Sequence, residues 1–146
     1  MGNIDSIRDW GHAKDYVEIQ WKMLQQETPE DFVIATGRQE SVRKFIELSA
    51  KELGWGGIIW EGEGINEIGR RADTNEIVIK IDEKYFRPCE VNSLLGDSSK
   101  ASKKLGWKPK TTLEELVSDM IKSDKKLAER EALLVKKGFK LSITKE

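Results

Sequence analysis

The sequence predicts an α/β fold in which a parallel strand is flanked by helices and followed by a small helical subdomain. Apolar residues recur at helical spacing on both sides of a short β-branched run at residues 32–35. An alternating apolar run follows at residues 76–81, and the last third of the chain carries helix-capping residues. Helix, buried strand and helix in succession are typical of α/β proteins with parallel pairing.

The first helix is predicted over residues 13–25, because Val17, Trp21 and Leu24 recur at the spacing of one helical face. Ahead of it the chain forms a strand or a turn. After it, residues 32–35 are short, apolar and β-branched, which favours a buried strand. This strand needs neighbours to pair with, so we also expect an exposed apolar edge or face.

A second helix is predicted to begin after an N-cap at Ser41 and to end at Gly54. The glycine-rich segment that follows, including residues 62–69, favours a surface loop with at most a short strand at residues 58–60. Alternation at residues 76–81 predicts a half-buried strand.

The last third is predicted to be helical. Asp97 can cap a short helix that ends before Gly106. Thr112 and Glu115 have the spacing of a capping box, which opens a longer helix ending near Gly138.

Composition limits the possible classes of function. The chain has 146 residues, with 25 Lys and Arg against 26 Asp and Glu, so its net charge of -1 argues against binding to nucleic acid or to an anionic membrane. No apolar run reaches the length of a membrane span, and the lone Cys89 fits a reducing compartment. We therefore expect a cytoplasmic protein with one domain over residues 1–138 and a tail over residues 139–146.

Signals of independent catalysis are weak. His12 is the only histidine, so no histidine-rich metal site is predicted, and we expect His12 to serve the start of a helix or its packing. The glycines of residues 62–69 do not have the spacing of a dinucleotide-binding loop. Neither Tyr16 nor Tyr85 is followed by a lysine four residues later. No catalytic residue is therefore assigned.

Two arginines have unusual surroundings. Arg8 precedes a helix, Arg87 follows a strand, and both lie next to aromatic residues. Two guanidinium groups that converge could clamp a diphosphate, and Glu90 could accept hydrogen bonds from a ribose diol. The alternative is structural: Arg8 would pair with Asp9 or Asp15, and Arg87 with a neighbouring carboxylate.

Three blocks of the chain resemble GDP-mannose 4,6-dehydratases, which are extended members of the short-chain dehydrogenase/reductase superfamily, and the similarity runs from residue 2 to about residue 138. They comprise GNIDSIRDWGHAKDYV at 2–17; PEDFVIATG at 29–37 with SVR at 41–43; and YFRP at 85–88 with EV at 90–91, LLGD at 94–97, KA at 100–101 and LGWKP at 105–109.

The resemblance implies that this chain is the C-terminal, nucleotide-sugar-binding part of an extended short-chain dehydrogenase. By motif position, Arg8 and Arg87 would hold the diphosphate of GDP-mannose and Glu90 the ribose. Complete family members use NADP to oxidise the sugar at C4, eliminate water across C5 and C6, and return the hydride to C6, which gives GDP-4-keto-6-deoxymannose. The cofactor loop and the Tyr-x-x-x-Lys pair are absent here.

We therefore expect that this chain alone binds no cofactor and has no turnover. Activity would require a cofactor-binding N-terminal half, and the complete enzyme would be a homo-oligomer. Two alternatives remain open. One is a non-catalytic nucleotide-sugar-binding or regulatory module, and the other is part of a related nucleotide-sugar epimerase or reductase.

Overall fold

The computed structural model describes residues 1–87 and 94–140, and its helices and small sheets confirm the α/β class. The regular elements are β1 (Ile7–Asp9), α1 (Ala13–Leu24), β2 (Gln39–Ser41), α2 (Val42–Glu52), β3 (Ile58–Glu61), β4 (Ile68–Arg71), β5 (Ile77–Lys80), α3 (Ser99–Leu105) and α4 (Leu113–Lys136). Two short 3₁₀ helices are added, Gly64–Asn66 and Glu83–Tyr85.

The strands form two antiparallel sheets. Strand β1 pairs with β2, and Arg8 lies directly opposite Glu40. Strands β3, β4 and β5 form a three-stranded meander in sequence order. The predicted strands at residues 58–60 and 76–81 are confirmed by β3 and β5. Strands β2 and β4 were not predicted, and β4 begins inside the glycine-rich stretch that favoured a loop.

The predicted parallel strand at residues 32–35 is wrong as an element of this structure. The segment has no strand assignment, and every strand pair in the described residues is antiparallel. Its apolar side chains nevertheless contribute to the core, because Phe32 and Ile34 pack against it and Ala35 is buried, whereas Val33 is 53% exposed. A strand exists only when a neighbour completes its backbone hydrogen bonds, and no described strand lies beside this segment.

Most helix boundaries follow the predicted caps; at α3 the N-cap is Ser98, and Asp97, one residue earlier, accepts from Ser99 N (2.8 Å). The Ser41 side chain accepts a hydrogen bond from Lys44 N, and Thr112 and Glu115 form the full capping box at the start of α4. Gly106 ends α3 with a φ of 61°, a left-handed conformation that costs glycine little. The helix ends at Ser41, Thr112 and Gly106 were each predicted from neighbouring residues alone, and each is confirmed.

The core forms where α1, α3 and the segment after α3 meet. Trp107, Ile19 and Ala101 are almost fully buried. The Trp107 indole N–H donates to the backbone oxygen of Asp15 (3.0 Å), and the Asp15 carboxylate accepts from the backbone N–H groups of Lys110 and Thr111. Desolvation raises the pKa of Asp15, but the hydrogen bonds from Thr111 and Lys110 outweigh it and lower the pKa overall.

A charged network joins the first residues of the chain to the meander. The Arg43 guanidinium contacts Asp5 (Nε to Oδ1, 2.7 Å) and the buried Glu67 (Nη1 to Oε1, 2.6 Å). It also stacks on the Trp60 ring at 4.6 Å from the centroid. Hydrogen bonding to Arg43 lowers the pKa of Asp5, and bonding to both carboxylates raises the pKa of Arg43.

Helix α4 is packed at its start and exposed at its end. Leu116 and Val117 are buried, whereas between residues 122 and 136 only Leu134 is even half-buried. In the part of the chain that the structure describes, no helix is both long enough and apolar enough to cross a membrane.

Candidate functional site

Arg8 and Arg87 line the same surface groove. Its volume is about 290 Å³, and its other walls come from residues 1–4, Ser6, Val42 and Tyr85. The sequence suggested that these two arginines could converge, and the structure brings them to one concavity.

The first residues of the chain connect the two arginines. Arg43 N donates to the oxygen of Ile4 (2.7 Å) and Val42 N to the oxygen of Ser6 (3.1 Å), which fixes the segment against the start of α2. These bonds also occupy the first backbone N–H groups of that helix. These N–H groups of α2 are therefore bonded within the chain and are not offered to a ligand in the groove.

The other side of the same segment contacts the region that follows β5. Asp82 N donates to the oxygen of Met1 (2.8 Å). A Cβ atom added to Gly2 would collide with the backbone oxygen of Tyr85. Glycine at this position therefore permits a close backbone contact that sets Arg87 near the segment leading to Arg8.

Strand β1 positions Arg8. The side chain is half-buried, and its Nη1 donates to the oxygen of Ile7 (2.8 Å). The next residue, Asp9, accepts hydrogen bonds from the backbone N–H groups of Thr36 and Gly37, each at 3.0 Å. These bonds tie the end of β1 to the turn before β2.

The structural alternative for Arg8 named Asp9 and Asp15 as partners. Both carboxylates accept hydrogen bonds from backbone N–H groups of other segments, as described above. Arg87 is exposed and follows the 3₁₀ helix Glu83–Tyr85, which Asp82 caps by accepting from Lys84 N (3.0 Å). Glu90, the predicted ribose ligand, lies outside the described residues.

His12 serves the start of α1, as predicted. Its Nδ1 accepts from Lys14 N (3.0 Å), and its Nε2 lies 3.4 Å from the Asp119 carboxylate. These residues belong to a larger open depression of about 680 Å³, where charged and polar groups bind one another, including Lys14 with Asp119 and Ser118 with Glu52. Within residues 1–87 and 94–140, no group of three or more His, Cys, Asp or Glu is arranged to hold a metal ion.

Comparison with solved structures identifies the fold. A structure of RMD from Pseudomonas aeruginosa complexed with NADPH matches with a TM-score of 0.61 at 18% identity, over 84% of this chain and 34% of that one. The UDP-glucose 4-epimerase of Thermotoga maritima, solved with UDP-glucose, matches with a TM-score of 0.60 at 23% identity, over 88% of this chain and 34% of that one. The chain thus shares the fold of about one third of each of these two proteins.

Sequence relatives are much closer. The GDP-mannose 4,6-dehydratase of Yersinia enterocolitica is 51% identical over the whole chain, which spans 42% of that relative. The human GDP-mannose 4,6 dehydratase is 52% identical over 87% of this chain and 34% of its own length. The chain therefore spans less than half the length of these relatives.

A family model described as GDP-mannose 4,6 dehydratase matches residues 1–120. This match and the identities to full-length relatives agree with the motifs around Arg8 and Arg87, and the chain belongs to the GDP-mannose 4,6-dehydratase family.

Proposed function

We propose that this chain supplies the GDP-sugar-binding region for converting GDP-mannose to GDP-4-keto-6-deoxymannose, and that it is inactive without a cofactor-binding part. The observation that carries the proposal is the shared groove of Arg8 and Arg87, which come from distant motifs of the family. A guanidinium presents two parallel N–H donors to neighbouring phosphate oxygens, so two of them can hold a diphosphate from two sides.

The size of the groove supports a partial site. Pockets for small molecules usually measure about 300–1,000 Å³. At about 290 Å³, the groove is at the lower end of this range. The ribose contact is assigned to Glu90 by its place after Arg87, and the rest of the site to protein outside this chain.

The glycine-rich stretch does not have the form of a dinucleotide-binding loop. Phosphate-binding loops join a strand to the N-terminus of a helix. Here the glycine-rich stretch leads into the antiparallel strand β4, where Gly69 is buried against Trp60, Ile58 and Ile79. We therefore assign NADP, and the residues that move hydride and protons, to the missing part of the enzyme.

An exposed apolar face supports the need for such a part. Val17, Trp21 and Leu24 lie at helical spacing on α1 and are 61%, 61% and 81% exposed. Val33, in the unpaired apolar segment, is 53% exposed. Apolar surface of this kind marks interaction sites. We propose that the cofactor-binding part covers it and that the complete enzyme forms a homo-oligomer.

Reconstitution tests the proposal. We expect the pure chain to form no GDP-4-keto-6-deoxymannose from GDP-mannose and NADP, because the groups that react with the sugar are not in it. Co-expression with the remaining part of the Yersinia enterocolitica relative should restore product formation, measured by chromatography of the nucleotide sugars.

Each outcome separates one alternative. A stable complex that binds GDP-mannose without turnover would favour the non-catalytic module. Turnover or tighter binding with UDP-glucose than with GDP-mannose would favour an epimerase-like enzyme. Product from the pure chain would contradict the proposed division of labour.

The diphosphate clamp predicts a loss of substrate affinity. In the reconstituted protein, Arg8→Ala and Arg87→Ala should each weaken GDP-mannose binding by about 1.5–3 kcal/mol, the range for hydrogen bonds to charged groups. Calorimetry gives the dissociation constants, and NADP binding should stay unchanged. Arg38→Ala is the matched control, because Arg38 is exposed and donates to the oxygen of Thr111 outside the groove.

Two milder variants test the chemistry of the clamp. Arg87→Lys should bind GDP-mannose little better than Arg87→Ala, because an ammonium keeps the charge but not the paired donors. Glu90→Gln should cost less than either alanine change and act equally on GDP, since a neutral amide still accepts one ribose hydrogen bond. Unchanged affinity in both arginine-to-alanine variants would favour the structural role.

A further inference from the structure

Tyr85 is an aromatic residue held at the wall of the arginine groove. It is 56% exposed, although the neighbouring Phe86 is half-buried in a small cavity with Ile4 and Ile81. Burial of a tyrosine ring is normally favourable. Tyr85 instead lines the concavity that Arg87, two residues later, also lines.

The backbone around Tyr85 is well supported. Tyr85 N donates to the oxygen of Asp82 (3.0 Å), and Phe86 N to the oxygen of Glu83 (3.1 Å), which forms the short 3₁₀ helix. The close contact of Gly2 with the Tyr85 backbone fixes the same point from the other side. The backbone at Tyr85 is thus held at a defined place.

We propose that the Tyr85 ring stacks on the nucleobase of the bound nucleotide and is a further substrate-contacting residue of this site. The inference rests on the proposed function, because the arginines must hold the diphosphate first. The base is joined to that diphosphate through a single ribose, so it must lie close to Arg87. Planar bases bind aromatic rings through their faces.

A lysine lies beside the Tyr85 ring. The Lys84 ammonium lies 5.3 Å from the ring centroid, a cation–π contact that leaves more than half of Tyr85 exposed. Stacking does not use the hydroxyl group, so phenylalanine should replace Tyr85 without loss. Leucine fills similar space but has no π face.

Calorimetry with the 146-residue chain tests the inference, since Tyr85 and both groove arginines lie in this chain. GDP and inorganic pyrophosphate are the probes. Tyr85→Leu should weaken GDP binding roughly tenfold and leave pyrophosphate binding unchanged. Tyr85→Phe should bind both as the wild type does. Trp21→Leu, at an equally exposed ring on α1, is the control and should change neither.

The outcomes distinguish this inference from the proposed function. If Tyr85→Leu keeps full GDP affinity while Arg8→Ala and Arg87→Ala lose theirs, stacking is wrong and the clamp stands. If the arginine variants bind GDP as the wild type does, both are wrong, whereas a wild-type chain without saturable GDP binding contradicts the stacking inference alone. Equal losses of GDP affinity in Tyr85→Leu and Tyr85→Phe would indicate a contact through the hydroxyl group. Loss of pyrophosphate binding in Tyr85→Leu would indicate a damaged groove. Either result overturns stacking.

Discussion

Replacing Trp107 by alanine is expected to destabilise the protein by about 3–5 kcal/mol, the range for removing a large buried aromatic side chain. The ring is 1% exposed and lies against Ile19 and Ala101 at the centre of the core. Its indole N–H also bonds to the oxygen of Asp15, so the change removes a hydrogen bond as well as the packing. Urea unfolding followed by circular dichroism measures the loss.

Trp21→Ala is the matched control for this experiment. Trp21 is 61% exposed on α1, so its removal should change stability by no more than about 0.5 kcal/mol in the chain alone. Comparable losses in the two variants would mean that the Trp107 cluster is not the centre of the core.

Replacing Arg43 by alanine is expected to cost about 3–5 kcal/mol of stability, because it leaves the buried Glu67 carboxylate without its partner. The contacts of Arg43 with Asp5 and the Trp60 ring are lost at the same time. A double variant, Arg43→Met with Glu67→Leu, should recover much of this loss, since it removes the buried charge as well. Urea unfolding compares the single and double variants.

Arg71 provides a control of the same chemistry. Its side chain is as exposed as that of Arg43, at 23%, and it too bonds to a carboxylate and stacks on a tryptophan, here Asp73 and Trp55. Asp73 is much more exposed than Glu67, so water can replace the lost arginine. Arg71→Ala should therefore be far milder, and equal losses would contradict the importance of the buried carboxylate.

The helices could be predicted because their signals are local. Ser41, Thr112 and Glu115 cap helices within three residues of themselves, and Gly106 ends a helix by its own conformation. Strands depend on distant partners. The run at residues 32–35 has the composition of a strand but no described neighbour, whereas β4 carries two arginines and a glycine and is a strand because β3 and β5 flank it.

The candidate site also has a part that local sequence predicts and a part that depends on distant contacts. Arg8 and Arg87 could be singled out because a planar guanidinium suits phosphate binding and because the family resemblance implies this role for both. Their meeting in one groove depends on backbone bonds from residues 1–6 to two separate elements, which no local pattern reveals. The presence of Tyr85 at the wall had no sequence signal beyond its place near Arg87. Glu90 stays a prediction.

The unequal packing of α4 means that this helix should unfold in stages. Its first turns are fixed by the capping box and by the burial of Leu116 and Val117, whereas the turns after residue 122 have little but their own backbone bonds. Isolated helical segments of that length are marginal in water, so local opening is least costly at the far end. Amide hydrogen exchange should therefore become faster along the helix, and a protease should clip its last turns first. Such clipping would spare the arginine groove, none of whose described walls comes from α4.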